Sequence, residues 1–127
     1  KYINGKGTIY VYRPDRLMKD IQRPDCKSIL SSNGYECSNF GKCLKRLIDR
    51  LDNSDEFPHE IGLFLGYPPE DVKGFIENDA KGCKYVDHWK VYGDVDRAKA
   101  LFKAYRRSTK LCYSEWEAGV PITALVN

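Results

Sequence analysis

Glu56-Phe57-Pro58-His59-Glu60-Ile61-Gly62-Leu63-Phe64-Leu65-Gly66-Tyr67-Pro68-Pro69-Glu70-Asp71-Val72-Lys73-Gly74-Phe75-Ile76-Glu77-Asn78 reads as strand, tight loop and helix. The apolar run Ile61 to Leu65 suits a short strand buried on both faces, and Pro68 with Pro69 ends it. Pro69 then stands at a first helical turn with Glu70 and Asp71 beside it, where a missing N–H costs nothing and acids meet the positive end of the helix dipole. That helix runs to about Asn78, and Gly82 breaks it off. Loops that lead from a strand end into a helix are where open α/β sheets place ligands, because helix N-terminal N–H groups point there unpaired.

Upstream, Thr8-Ile9-Tyr10-Val11-Tyr12-Arg13 is β-branched and aromatic and stops at Pro14, which predicts a strand ending in Arg13. Asp15 to Gln22 predicts a short helix. Pro24 and Asp25 open a second through Leu30, which Asn33-Gly34 terminates. Ser38 or Asn39 caps a longer helix to about Leu51, whose apolar positions Phe40, Cys43, Leu44, Leu47, Ile48 and Leu51 recur at spacings of three and four. Asp52-Asn53-Ser54-Asp55 is a loop by composition.

Downstream, Tyr85 to Tyr92 predicts a third strand, with Tyr85, Asp87, Trp89 and Val91 on one face and Val86, His88, Lys90 and Tyr92 on the other. Gly93 turns the chain. Asp94 caps a last long helix with a core stripe of Val95, Ala98, Leu101, Phe102 and Tyr105, ending between Arg107 and Trp116. Ile122 to Val126 is a last strand or one helical turn. Strands separated by helices imply an α/β class, with α+β left open, built on a small three- to four-stranded mixed sheet under helices.

At 127 residues the chain is one domain's worth, and folding should bury roughly two-thirds of the surface the unfolded chain exposes. A hydrophobic share of 42% and a charged share of 31% are globular values. No apolar run approaches the roughly 20 residues of a membrane helix. Lys1 to Lys6 lack the apolar region of a signal peptide, so the expected location is cytoplasmic. The five cysteines, Cys26, Cys37, Cys43, Cys83 and Cys112, are irregularly spaced without a C-x-x-C pair, which points to reduced thiols and no metal. A net charge of +3 is too small to imply nucleic acid by itself.

At Tyr10-Val11-Tyr12-Arg13-Pro14, Phe57-Pro58-His59-Glu60-Ile61-Gly62-Leu63-Phe64-Leu65-Gly66-Tyr67-Pro68 and Trp89-Lys90-Val91-Tyr92-Gly93, the chain resembles a bacterial family of unknown function found mainly in Clostridia and related anaerobes. The likeness covers most of the chain. Members that it resembles usually carry an N-terminal segment with a cysteine-proline motif that has no counterpart here. An anaerobic distribution suits a reduced cytoplasm. The resemblance implies no activity and no cofactor.

Candidate chemistry is sparse. His59-Glu60 begins like the H-E-x-x-H zinc motif, but Leu63 stands where the second histidine belongs, and His88 lies elsewhere. His59 and Glu60 remain weak candidates for acid/base or metal work if His88 meets His59 in space near Glu60 or Asp87; the plainer expectation is a local hydrogen bond. Arg13 at a strand end, with Tyr67, Lys90 and Tyr92, forms the preferred ligand-binding set, arginine pairing with an anion and the tyrosines stacking on a planar group. Ordinary surface ion pairs are the plainer alternative. Lys99, Lys103, Arg106, Arg107 and Lys110 make a basic stripe compatible with nucleic-acid phosphates, the weakest partner reading because most such stripes are solvated faces. Tyr113 and Trp116 supply the apolar patch that a protein partner would need. The expectation is therefore a binding or regulatory module for a small anionic ligand or a protein partner, of oligomeric state not fixed by sequence. The alternatives are an enzyme using His59 and Glu60 and a nucleic-acid binder using the last helix.

Overall fold

In the computed structural model, which describes residues 2–3 and 5–125, helices dominate. Tyr2–Ile3 (β1) and Lys6–Gly7 (β2) form a minimal antiparallel pair. The helices Pro14–Ile21 (α1), Pro24–Ser32 (α2) and Phe40–Asn53 (α3) follow, then the single turn Ile61–Phe64 (α4) and Pro69–Glu77 (α5). Tyr85–Val86 (β3) pairs antiparallel with Lys90–Val91 (β4), in register Tyr85 to Val91 and Val86 to Lys90. Val95–Glu117 (α6) and Ile122–Leu125 (α7) complete the described chain.

The expected three- to four-stranded mixed sheet is corrected to two separate two-stranded antiparallel hairpins. Thr8 to Arg13 joins no strand, and Ile9 and Val11 are exposed rather than inserted between neighbours. Ile61 to Leu65 is one helical turn, with Leu63 and Phe64 buried among helices. Tyr85 to Tyr92 is not one strand, because the chain reverses at Asp87 to Trp89 and pairs with itself. A short apolar run satisfies a buried strand and a buried helical turn equally, and only its tertiary surroundings decide between them.

The helices fall close to expectation. Pro14, Pro24 and Pro69 each sit in a first helical turn, as the residue's fixed φ favours. Asn39, not Ser38, caps α3 by accepting from the Lys42 amide, and Asp94 caps α6 by accepting from the Arg97 amide. The tail is helical over Ile122–Leu125, and Val126 lies outside the described residues.

The core is a continuous apolar cluster drawn from α1 to α5, including Leu17, Ile21, Leu30, Cys43, Leu47, Leu63 and Val72. A smaller cluster of Val91, Ala98 and Phe102 sits under α6. Tyr67 and Trp89 pack against both and join them. Asp71 ties α5 to the end of β4, its Oδ1 accepting from the Tyr92 and Gly93 amides at 2.9 Å each.

Candidate functional site

Glu60 is the buried charge around which the central stretch is organised, at 1% exposure. Arg50 of α3 meets it through two hydrogen bonds, and the Tyr35 hydroxyl donates to the same Oε1 at 3.0 Å. The carboxylate holds the Arg50 guanidinium above its ordinary pKa chiefly through that hydrogen bond, while burial, then Glu60, push the Tyr35 hydroxyl up. Glu60 thus bonds to residues far away in sequence. His59 turns elsewhere, edge-on to Phe75 with ring centroids 4.8 Å apart. His88 stacks on Phe102 and bonds to Asp87, so the two histidines stand against different aromatic partners. No group of three or more metal-ligating side chains gathers among the described residues.

Beside Arg50 and His59 lies a small pocket of about 170 Å³, walled by Asn33 and Ile76. On the other side of these two residues a wider groove of about 400 Å³ runs between α2 and α5. Asp25, Glu70 and Glu77 face it against Lys73, so its walls lean acidic. Several of these charges are already engaged: Asp25 with Arg23 at 2.9 Å, Glu70 with Arg97 at 3.6 Å, and Glu77 with Lys73 at 3.7 Å.

None of the four residues expected to bind a ligand lines either of these two cavities. Lys90 Nζ donates to the Ala80 carbonyl at 2.7 Å, and the Tyr92 hydroxyl to the Lys81 carbonyl at 2.9 Å, so both hold the turn after α5. Tyr67 stacks on Trp89 at 5.0 Å and meets Phe102 and Tyr105 edge-on. Arg13 precedes α1 and is exposed. Tyr67 and Lys90 both approach the Trp89 and Phe75 aromatic group, Tyr67 on the Trp89 ring and Lys90 over Phe75 at 6.0 Å.

The basic stripe is partly engaged as well. Arg106 Nη1 donates to Asp87 Oδ2 at 2.7 Å, and Lys99 stands over the Tyr85 ring at 4.7 Å. The hydrogen bond from Arg106, and then that from His88, hold the Asp87 carboxyl below its ordinary range.

Helix α6 is covered over its first turns and open beyond them. Its first turns bury Ala98 and Phe102, and the Tyr105 hydroxyl donates to the Gly66 carbonyl at 2.6 Å. Every residue from Arg106 to Gly119 is exposed. Yet the spacing that buries Ala98, Phe102 and Tyr105 continues outward through Thr109, Cys112 and Trp116, alternating steps of four and three. Tyr113 and Trp116 flank one another with ring centroids 6.1 Å apart and are 58% and 54% exposed. Inspection of Tyr113 and Trp116 alone locates the patch; extending the Ala98 stripe past Tyr105 would also have located its axis. Asn33 and Arg50, which line the pocket, carry no local signal, since Arg50 reads as one more charge on the outer face of α3.

No curated protein and no solved structure matches the chain. The family described as Protein of unknown function (DUF3793) matches residues 1–126, and the chain belongs to that family.

Proposed function

We propose that the protein is an interaction module that engages a protein partner through the outer half of α6. The observation that carries this reading is the continuation of the buried stripe, Thr109, Cys112 and Trp116, beyond the core that covers its first half. Apolar surface left open on a helix costs free energy until something covers it, and large aromatic side chains dominate the energetics of interfaces. We take its compartment to be a reducing bacterial cytoplasm, because five free thiols, three of them buried, suit one.

A second reading, a small-ligand site in the groove between α2 and α5, is favoured by the groove itself. Its acidic walls favour a ligand with a positive or neutral group over an anion.

The test is a photo-crosslinking amino acid placed at Trp116 in the full chain, expressed in its own host, with the same group at Lys27 of α2 as the control surface. Protein adducts from the Trp116 position and none from Lys27 are expected. Equal adducts from both, or none from Trp116, would remove α6 as the interaction surface.

A further inference from the structure

We propose that the partner of α6 is a second copy of this chain, the two outer halves lying antiparallel across a twofold axis at Cys112; this rests on α6 being the interaction surface. A twofold interface uses one patch twice, so the patch must complement itself. The outer half of α6 does so in one orientation. Arg106, Lys110 and Glu117 share one flank of the apolar stripe, with the cations near its inner end and the acid near its outer end. When two such helices run antiparallel, like flanks meet. Lys110 of each copy then lies beside Glu117 of the other, with Arg106, whose Nη1 is already on Asp87, adding positive charge nearby, and on the opposite flank Ser108 meets Glu115. A parallel pair would instead bring unlike flanks together and align the helix dipoles side by side.

The stripe fits the same register. Cys112 faces Cys112 on the axis, and each Trp116 falls on Thr109 of the other copy, so a large side chain packs over a small one. At the foot of the helix, Leu65 is 45% exposed beside Gly66, whose carbonyl binds Tyr105. The outer end of the second helix, with Val120, reaches that notch. The paired length of about 18 Å buries on the order of 1,000 Å² in total, the low end of specific interfaces. The expected affinity is therefore micromolar, and the exchange rapid. Of the cysteines, Cys112 alone is exposed while Cys26, Cys37 and Cys43 are buried and Cys83 half-buried, which makes the axis addressable by thiol chemistry.

The test is sedimentation velocity on the full chain from about 1 µM to about 500 µM, bracketing the affinity such an interface supports. A monomer passing into a dimer is expected. Trp116→Glu should weaken it at least tenfold, Lys110→Glu several-fold, and Lys110→Glu with Glu117→Lys should recover it. A short bismaleimide should join two copies of the parent chain and fail on Cys112→Ser. These side chains are exposed, so circular dichroism of each variant should match the parent. A chain that stays monomeric throughout, or a dimer indifferent to both Trp116→Glu and the charge reversal, overturns the proposal. If the monomer still crosslinks to a different protein through position 116, self-pairing fails while the interaction surface stands. Without any adduct, both fail. Single-stranded nucleic acid that binds in a salt-steep manner, lost on Lys103→Glu and kept in Trp116→Glu, would also overturn both.

Discussion

Arg50 holds Glu60 with two nitrogens, Nε to Oε1 at 2.7 Å and Nη2 to Oε2 at 3.2 Å, and it does so between two elements the sequence separates by a loop. The acid is fully buried while the Arg50 side chain remains 38% exposed. The pair therefore costs desolvation mainly on one side. Its role is to fix the entry to α4 against α3, with Tyr35 bringing in the segment after α2.

Removing one partner strands a buried charge. Arg50→Ala should destabilise the fold by about 2–4 kcal/mol, below the full buried-pair penalty because water still reaches the arginine site. Arg50→Met with Glu60→Leu should recover a large part of the loss, since no charge is left unpaired. Urea midpoints at neutral pH measure both. A single substitution that costs nothing would mean the pair is surface decoration.

Gly62 is the second sensitive point. A Cβ there would stand 2.7 Å from Val72 Cγ2 and 2.9 Å from Trp89 Cζ2, closer than packed carbons approach. Gly62→Ala should cost about 1–3 kcal/mol through displacement of Trp89 or Val72. The Trp89 fluorescence, isolated in a Trp116→Phe background, should shift to the red as its packing loosens. An unchanged spectrum and midpoint would show that α4 has room to move.

Helices were legible because each carries several independent signals. Asn39 and Asp94 cap, Pro14, Pro24 and Pro69 open, and the stripe from Phe40 to Leu51 repeats over about three turns. The strands were not legible, because each rested on residue type over five to eight positions. Ile61 to Leu65 has the apolar content of a strand, but α1 and α5 close around it and leave no strand to pair with. Tyr85 to Tyr92 has alternation, yet its reversal at Asp87 is stabilised by Arg106, 19 residues away. The partners of the expected site residues were hidden in the same way: Lys90 and Tyr92 look free in sequence and donate to the carbonyls of Ala80 and Lys81. Contacts of this range are written in the fold and not in any local pattern.

Alkaline pH should unfold the protein from within. Burial pushes the Cys43 thiol up to about 11, and burial, then Asp25, pushes that of Cys26 up to about 12, from an ordinary value of 9.0. Burial likewise raises the Tyr10 hydroxyl to about 12 from 10.0. These groups are neutral when protonated, and the native state holds their protons to higher pH than the unfolded chain does. Their stabilisation is complete below about pH 9 and falls as pH rises from there towards 12. For Cys43, which is fully buried, the slope approaches about 1.4 kcal/mol per pH unit inside that window. Urea midpoints at about pH 7, 9.5 and 11 should decline, and less steeply in Cys43→Ala than in the parent, as linkage requires. A flat profile across the window would remove the thiol contribution.

Within α6 the boundary between covered and open turns should be visible in hydrogen exchange. Ala98 and Phe102 are fully buried, so opening the first turns exposes apolar surface and must approach the global unfolding free energy. The residues from Arg106 to Gly119 are all exposed, and a helical stretch of about a dozen residues is marginal when little but propensity supports it. At low concentration their amides should therefore exchange orders of magnitude faster than those near Phe102. Raising the protein concentration should slow exchange from Arg106 to Glu117 without changing it near Phe102, because pairing adds cover only to the outer half. Slow exchange along the whole helix in the dilute protein would show that the outer half is held by something within the chain, and the reason for a partner would disappear.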